Sequence, residues 1–121
     1  MHYFCRMHIT RYRNAPSYEA PGHSKVASLR LQGQEVSPSS SCWVGLSHYL
    51  PQGAAESASS NAEKIYIVLS GEITVITDSG EATLAPLDSC YIAPGERRSV
   101  INRTNAPASM LVIMGNPPAG G

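Results

Sequence analysis

The sequence lacks several features that would point to particular classes of protein. It has no excess of charge of either sign, because nine Lys and Arg residues balance nine Asp and Glu residues. The largest basic cluster is the pair Arg97 and Arg98, so nothing resembles a nucleic-acid-binding patch. No apolar run approaches the roughly 20 residues of a membrane span, and the amino terminus has no apolar signal core. We therefore expect a cytoplasmic protein that binds neither nucleic acid nor membrane.

Cysteine is scarce, and its spacing follows no known framework. Cys5, Cys42 and Cys90 lie far apart and are odd in number, which argues against disulfides and against paired metal ligands. We expect reduced thiols that are mostly buried. The 121 residues are enough for one compact domain, which buries roughly two thirds of the surface of the unfolded chain. The prediction is a single domain over residues 1–121.

The sequence also lacks a helical period of useful length. Its apolar residues occur in short runs rich in Val, Ile, Thr and Tyr, and the breaks hold Gly, Pro, Asn, Asp and Ser. This pattern is typical of an all-β sandwich or barrel. The predicted strands cover residues 26–31, 43–50, 65–69, 73–77, 81–84, 90–93, 99–101 and 110–114.

The connections between these strands are predicted as follows. Asp78, Ser79 and Gly80 form a three-residue hairpin loop, with Gly at the position that favours a left-handed conformation. Residues 1–25 form an N-terminal arm that wraps the barrel or a neighbouring subunit. Residues 115–121 form a frayed tail.

Two stretches of the chain resemble the two sequence motifs of the cupin superfamily. They read "GAAESASSNAEKIYIVLSGEITV" and "LAPLDSCYIAPGERRSVINRTNAPASMLVI". The resemblance covers residues 43–114 and implies a double-stranded β-helix, which is a jelly-roll barrel. The scaffold positions of the motifs are occupied by Gly53, Gly71, Asp88, Gly95 and Asn102.

The resemblance does not extend to the metal ligands of the family. It places Lys64 at the position of a glutamate ligand and Arg98 at the position of a histidine ligand. The other two histidine positions fall on Ala58 and Ser60, or on Ser57 and Ser59, depending on the spacer. Neither an ammonium nor a guanidinium offers a lone pair, and both repel a divalent cation. We therefore predict no metal and no cofactor, and a pocket that holds an acidic neighbour, ordered water or a small anionic ligand.

Alternation along the strands extends the predicted pocket. If Lys64 faces inward, Tyr66 does so too, and Asn102 follows Arg98. In "WVGLSHYL" we expect the inward set Val44, Leu46, His48 and Leu50, so that His48 enters the barrel. The candidate catalytic residues are Lys64 and His48. The candidate ligand-binding residues are Arg98, Tyr66, Ser57, Ser59 and Asn102.

Structural roles remain open for the two cationic residues. A register slip of one residue would turn Glu63 inward in place of Lys64. Arg98 can instead pair with Asp88 or Glu96 at the rim of the barrel.

Structural roles are equally open for the other candidates. His48 can be a hydrogen-bonded core residue, Tyr66 a packing residue, and Ser57 and Ser59 solvated loop residues. A rearranged metal site built from His48, Glu56 and a third group is a further alternative.

Two classes of function follow from these residues. The first is a metal-independent lyase, isomerase or decarboxylase of a small carboxylate, in which Arg98 anchors the acid and Lys64 or His48 moves a proton. The second is a binding or sensor protein that does not convert its ligand. We also expect a homodimer, because of the N-terminal arm, the zero net charge and the apolar outer face of Ile65, Ile67 and Leu69. The resemblance implies the same, since small single-barrel cupins usually pair through barrel faces.

Overall fold

The computed structural model describes residues 7–116, which fold into a nearly closed β-barrel. A short 3-10 helix, Tyr12–Asn14, precedes the strands. In chain order the strands are β1 (Ser17–Tyr18), β2 (His23–Gln32), β3 (Cys42–Ala58), β4 (Lys64–Ser70), β5 (Ile73–Thr77), β6 (Gly80–Leu84), β7 (Ser89–Ile92), β8 (Arg98–Ile101) and β9 (Ala108–Gly115). No helix among residues 7–116 is both long enough and apolar enough to cross a membrane.

The strands form one antiparallel sheet in the order β6-β5-β8-β3-β9-β4-β7, to which β2 and β1 are added beside β3. The central strand is β3, because its first part pairs with β2 and β9 and its last part pairs with β8. Its pairing with β2 is irregular between Tyr49 and Ala54, where Gln52 has a φ of +67°. A Cβ atom on Gly53 would collide with the carbonyl oxygen of Lys25, so this close approach requires glycine.

The core lies inside the barrel and follows the alternation of the strands. Along β4, Lys64, Tyr66 and Val68 are buried, whereas Ile65 and Leu69 are 38% and 41% exposed. The structure therefore turns Lys64 inward. Glu63 lies on the other side, where its Oε1 accepts a hydrogen bond of 3.2 Å from the hydroxyl of Tyr91.

The all-β barrel predicted from the sequence is confirmed, and several details differ. The hairpin loop has two residues rather than three, because Thr77 pairs directly with Gly80. The strand predicted over residues 43–50 continues to Ala58, because its last part finds a second partner in β8.

The predicted arm is partly a component of the sheet. Ser17 and Tyr18 form β1, and β2 begins at His23, inside the range 1–25 that the sequence assigns to the arm. The two cysteines in the described part, Cys42 and Cys90, are free and half-buried. Cys5 and most of the predicted tail, residues 117–121, lie outside the described residues.

Candidate functional site

A cavity of about 450 Å³ lies within the barrel, between the first strands and the loop that precedes β4. Its apolar lining comes mainly from the inward face of the sheet, namely Trp43, Tyr49, Tyr66, Met110, Val112 and Met114. Its polar lining contains three cations, Arg30, Lys64 and Arg98, together with His23, Glu19, Ser47, Ser59 and Ser60. The cavity has the size and the mixed lining of a small-molecule site.

Lys64 is the first residue of β4 and is only 3% exposed. Its Nζ donates a hydrogen bond of 3.0 Å to Ser60 Oγ, and that hydroxyl is in turn within 3.3 Å of the amide nitrogen of Ala62. No carboxylate within the described residues lies within 4.0 Å of Nζ. Burial, and then the charge of Arg98, lower the pKa of Lys64, and Glu96 opposes this shift. The ammonium therefore lacks a counter-ion from residues 7–116.

Arg98 is the first residue of β8 and is held by neutral acceptors. Its Nε donates a hydrogen bond of 2.7 Å to the hydroxyl oxygen of Tyr66, and its Nη1 donates one of 3.0 Å to the carbonyl oxygen of Glu56. The rim ion pairs with Asp88 or Glu96 are not formed. Each of these carboxylates instead accepts a bond from a backbone amide close to it in the chain. Among the described residues, no carboxylate therefore offsets the charge of this guanidinium beside the cavity.

Tyr66 is connected to both cations. It lies two residues after Lys64 on β4, and its hydroxyl oxygen accepts the hydrogen bond from Arg98. Burial raises the pKa of the phenol, and this effect outweighs the nearby charge of Arg98, which lowers it. The hydroxyl is therefore neutral at physiological pH. Since its oxygen accepts from Arg98, its proton is available for donation to a ligand.

The placement of His48 inside the barrel is wrong. Ser47 and Tyr49 line the cavity, so His48 lies on the outer face of β3. There its Nδ1 is 2.7 Å from Ser109 Oγ, and its Nε2 is 3.1 Å from the hydroxyl of Tyr12. The apolar residues in "WVGLSHYL" do not identify the inner face, because the outer face of this sheet is apolar as well.

Two further candidates lie away from the cavity. Ser57 is exposed, and its Oγ is at the 3.5 Å limit of a hydrogen bond from Arg97. Asn102 is completely buried, but its amide binds the chain itself: Nδ2 donates to the carbonyl oxygens of Tyr49 and Ala106 at 3.1 and 2.8 Å. Its Oδ1 accepts from the amide and hydroxyl of Thr104. Ser57 and Asn102 are therefore placed outside the site, whereas Ser59 lines it.

The alternative metal site is not assembled either. In the part of the chain from residue 7 to residue 116, no three His, Cys, Asp or Glu side chains come together in a way that could hold a metal ion.

The structure adds cavity residues that the sequence did not indicate. Arg30 stacks on two aromatic rings, with its Cζ 3.9 Å from the ring centroid of Tyr18 and 4.4 Å from that of Trp43. Its Nε lies 3.2 Å from Glu35 Oε1. His23 and Glu19 come from the segment that was assigned to the arm. Alternation along β2 could have indicated Arg30, but only once the register against β3 was known.

Comparison with known proteins agrees with this architecture. The family model described as Cupin domain matches residues 45–114. A protein of Mycobacterium tuberculosis named beta-D-galactosidase Rv1717 is 46% identical over 113 residues, which cover 93% of this chain and 97% of that protein. Both matches include the strands that carry Lys64 and Arg98.

Solved structures share the fold at low sequence identity. The polyketide cyclase RemF from Streptomyces resistomycificus superposes with a TM-score of 0.81 at 17% identity, covering 93% of this chain and 83% of that one. A structure described as a predicted oxalate decarboxylase from Thermotoga maritima gives 0.78 at 17% identity, covering 92% and 100%. Together with the family match over more than half of the chain, these findings lead to one conclusion: the protein belongs to the cupin domain family.

Proposed function

We propose that this protein is a metal-independent enzyme that binds a small anionic organic metabolite in the barrel and moves a proton on it, as a lyase, isomerase or decarboxylase. One observation carries the proposal. Lys64 and Arg98 face the same cavity, and neither has a carboxylate within 4.0 Å among the described residues. Because a buried cation without a counter-ion is costly, an anionic ligand would stabilise the site.

Arg98 is the anchoring group of the proposal. Its contacts with Tyr66 and with the Glu56 carbonyl use Nε and Nη1, and no described residue accepts a bond from Nη2. A carboxylate or phosphate oxygen bound there would make a charge-assisted hydrogen bond, which is stronger than a bond between neutral groups. The neutral hydroxyl of Tyr66 supplies a further donor.

Lys64 is the proton-transferring group of the proposal. Its lowered pKa brings the amine closer to the working pH, and this favours proton transfer in either direction. Negative charge that develops on the ligand, as in an enolate, is stabilised by both cations. The required chemistry then needs only side chains that the chain itself provides.

The proposal is tested by measuring whether the protein converts candidate substrates. A panel of small carboxylates and sugar phosphates is incubated with the protein in D2O, and proton NMR records conversion and deuterium incorporation. We expect Lys64→Met to abolish conversion while binding survives, and Lys25→Met to leave conversion unchanged, because Lys25 is exposed and outside the cavity. Tight binding of a panel member without conversion by the wild type would reject the enzyme and favour the binding or sensor alternative.

A second candidate function is hydrolysis of β-D-galactosides. It is favoured by the name of the relative that is 46% identical over almost the whole chain. The cavity is lined by the aromatic residues Tyr18 and Trp43, on whose rings Arg30 stacks, and by one carboxylate, Glu19. Most glycosidases use two carboxyl groups on opposite sides of the scissile bond. In the described residues, Glu19 is the one carboxylate that lines the cavity, so another group would have to act as its partner.

Two measurements distinguish the two candidate functions. Release of nitrophenol from 4-nitrophenyl β-D-galactoside, but not from the α-anomer, would support hydrolysis, and Glu19→Gln should then reduce the rate by roughly a hundredfold or more. Conversion of an anionic metabolite with no release of nitrophenol would support the first proposal.

A further inference from the structure

His23 is held in the wall of the cavity by the turn that precedes β2. Pro21 and Gly22 occupy the middle of this turn, which the amide of His23 closes with a 3.3 Å hydrogen bond to the carbonyl of Ala20. Gly22 has a φ of +72°, which is the conformation that a type II turn requires after proline. The carbonyl of Gly22 accepts a 3.0 Å bond from the amide of Glu56, which fixes the turn to β3.

The register of the sheet directs the side chain of His23 inward. His23 lies opposite Ala55, and Ala55 lies opposite Val100. Ala55 and Val100 are both 1% exposed and face the barrel interior. Directly opposed residues in an antiparallel pair point to the same side of the sheet, so the imidazole shares their face. This agrees with its place in the lining of the cavity.

The hydrogen bonding of the ring fixes its tautomer. Nδ1 lies 3.0 Å from the carbonyl oxygen of Pro21. Because a carbonyl can only accept, Nδ1 carries the proton. In the neutral ring, Nε2 then has a free lone pair, and no described residue donates a hydrogen bond to it. The orientation of one nitrogen by a backbone carbonyl is a common way to prepare the other for chemistry.

We propose that His23 is a second catalytic residue of this cavity, which accepts a proton from the bound metabolite at Nε2. The inference rests on the proposed function and deepens it. A C–H bond next to the carboxylate breaks, its proton forms the new N–H bond at Nε2, and its electron pair stays on the metabolite as an enolate. Lys64 and Arg98 face the enolate charge, and the ammonium of Lys64 can return a proton to the metabolite at another position.

The charges around the ring agree with this role. Burial, and to a smaller extent the charge of Arg98, lower the pKa of His23, and its bond to the Pro21 carbonyl opposes them. The imidazole is therefore neutral, and able to accept a proton, at physiological pH. The other titratable groups that line the same cavity are Tyr18 from β1, Glu19 just after it, Arg30 from β2, Tyr49 from β3, and Lys64 and Tyr66 from β4. The side chain of Glu56 lies next to Gly22.

The first test needs no substrate. In protein labelled with nitrogen-15 in its histidines, we expect the His23 ring at pH 7 to show one protonated nitrogen at Nδ1 and one bare nitrogen at Nε2. The resonance is assigned from its loss in His23→Gln. Titration with sodium malonate, a small dianion, should raise the pKa of His23, because bound negative charge offsets Arg98. A ring protonated on Nε2, or one that ignores malonate at concentrations that saturate the protein, would overturn the proposal.

The second test uses turnover of whichever carboxylate the panel identifies. Removing a general base should lower kcat of His23→Gln by roughly a hundredfold or more with little change in KM, and should abolish the acidic limb of the pH profile. His8→Gln is the matched control, because His8 is exposed and outside the cavity. Thermal unfolding checks that both variants are folded.

The outcomes separate the two proposals. If the wild type converts no member of the panel, both the proposed function and the role of His23 are rejected. If the wild type converts a carboxylate and folded His23→Gln retains its kcat and its pH profile, only the role of His23 is rejected.

Discussion

The Nε of Arg98 donates a 2.7 Å hydrogen bond to the hydroxyl oxygen of Tyr66, across the interior of the barrel from β8 to β4. The acceptor is a neutral phenol rather than a carboxylate. The bond therefore orients the guanidinium without cancelling its charge, and Arg98 remains able to bind an anion. This arrangement differs from a structural ion pair, in which a carboxylate would offset the charge of the guanidinium.

Affinity for small anions should depend on Arg98 and not on its neighbour. We expect Arg98→Gln to weaken malonate binding by about 10- to 150-fold, because a hydrogen bond to a charged group contributes about 1.5–3 kcal/mol. Arg97→Gln is the control, since Arg97 is exposed and outside the cavity. Isothermal titration calorimetry measures both. Equal affinity of the two variants would show that Arg98 is not the anchor.

Lys64 should make the fold less stable at neutral pH than an apolar residue of similar size. Its folded pKa lies below the ordinary value of 10.5, so between these two values the unfolded chain binds more protons and stability rises with pH. At pH 7 the folded protein lacks the extra stability that it gains when the pH rises through this range. We expect Lys64→Met to raise the free energy of unfolding by about 1 kcal/mol at pH 7, by analogy with other replaced buried charges.

The advantage of Lys64→Met should shrink as the pH approaches 10.5. Urea unfolding at pH 7 and pH 9.5 measures it, with Lys25→Met as the control. Tyr49 and Tyr66, whose pKa values are raised, are present in every variant, so their contribution to the pH dependence of stability cancels in the comparison. A loss of stability in Lys64→Met at pH 7 would mean that the ammonium has a stabilising partner.

Asn102 should determine stability rather than ligand binding. Its amide makes four hydrogen bonds in a buried position, two of them to backbone carbonyls. Asn102→Ala leaves these groups without partners, and we expect a loss of about 2–4 kcal/mol in urea unfolding. Asn105→Ala, an exposed residue of the same turn, should cost less than about 0.5 kcal/mol. Weaker malonate binding by folded Asn102→Ala would instead place the amide in the site.

The purified protein should contain far less than one equivalent of transition metal per chain. Lys64 and Arg98 occupy the cavity and offer no lone pair to a metal ion. Elemental analysis by mass spectrometry measures the content, and turnover should survive treatment with a chelator. Stoichiometric metal that is lost in Glu19→Gln or His23→Ala would show that these residues form a site.

We propose that the outer face of β4 pairs with a second copy of this chain to form a homodimer. Ile65 and Leu69 are 38% and 41% exposed on this face, and Tyr91 beside them on β7 is 56% exposed. Because the net charge is zero, charge repulsion between two copies does not oppose this contact. Light scattering after gel filtration should give a dimer for the wild type and a monomer for Ile65→Lys. Asp78→Lys, in the β5–β6 turn, is the control, and a monomeric wild type would reject the interface.

The short β-rich runs of the sequence predicted an all-β sandwich or barrel, and the resemblance to the cupin motifs selected the barrel and indicated one side of the cavity. Period-two alternation from Lys64 to Val68 agrees with the burial of β4 because this strand is regular and has one apolar and one mixed face. The positions of Arg98 and Lys64 followed from counting along the motifs, which the fold keeps at fixed spacing.

The other wall depends on contacts between residues that are distant in sequence. His23 becomes a cavity residue because it is opposite Ala55, and Arg30 does so because it stacks on Trp43. No local pattern contains these pairings. His48 was misplaced because both faces of β3 carry apolar residues, so counting them could not select the inner one. The inner face is shown by Trp43 and Tyr49, which line the cavity.

The length of β3 has a consequence for how the barrel assembles. Its 17 residues pair with β2, β8 and β9, so the hydrogen bonds of one strand hold both halves of the barrel together. Of these partners, β8 and β9 are far from β3 along the chain, and their pairing requires the closure of long loops before contact energy is gained. Folding should therefore be slow for a chain of this size. Once the barrel has formed, we expect the amide hydrogens in the middle of β3 to exchange mainly through global unfolding, because this strand is paired on both sides.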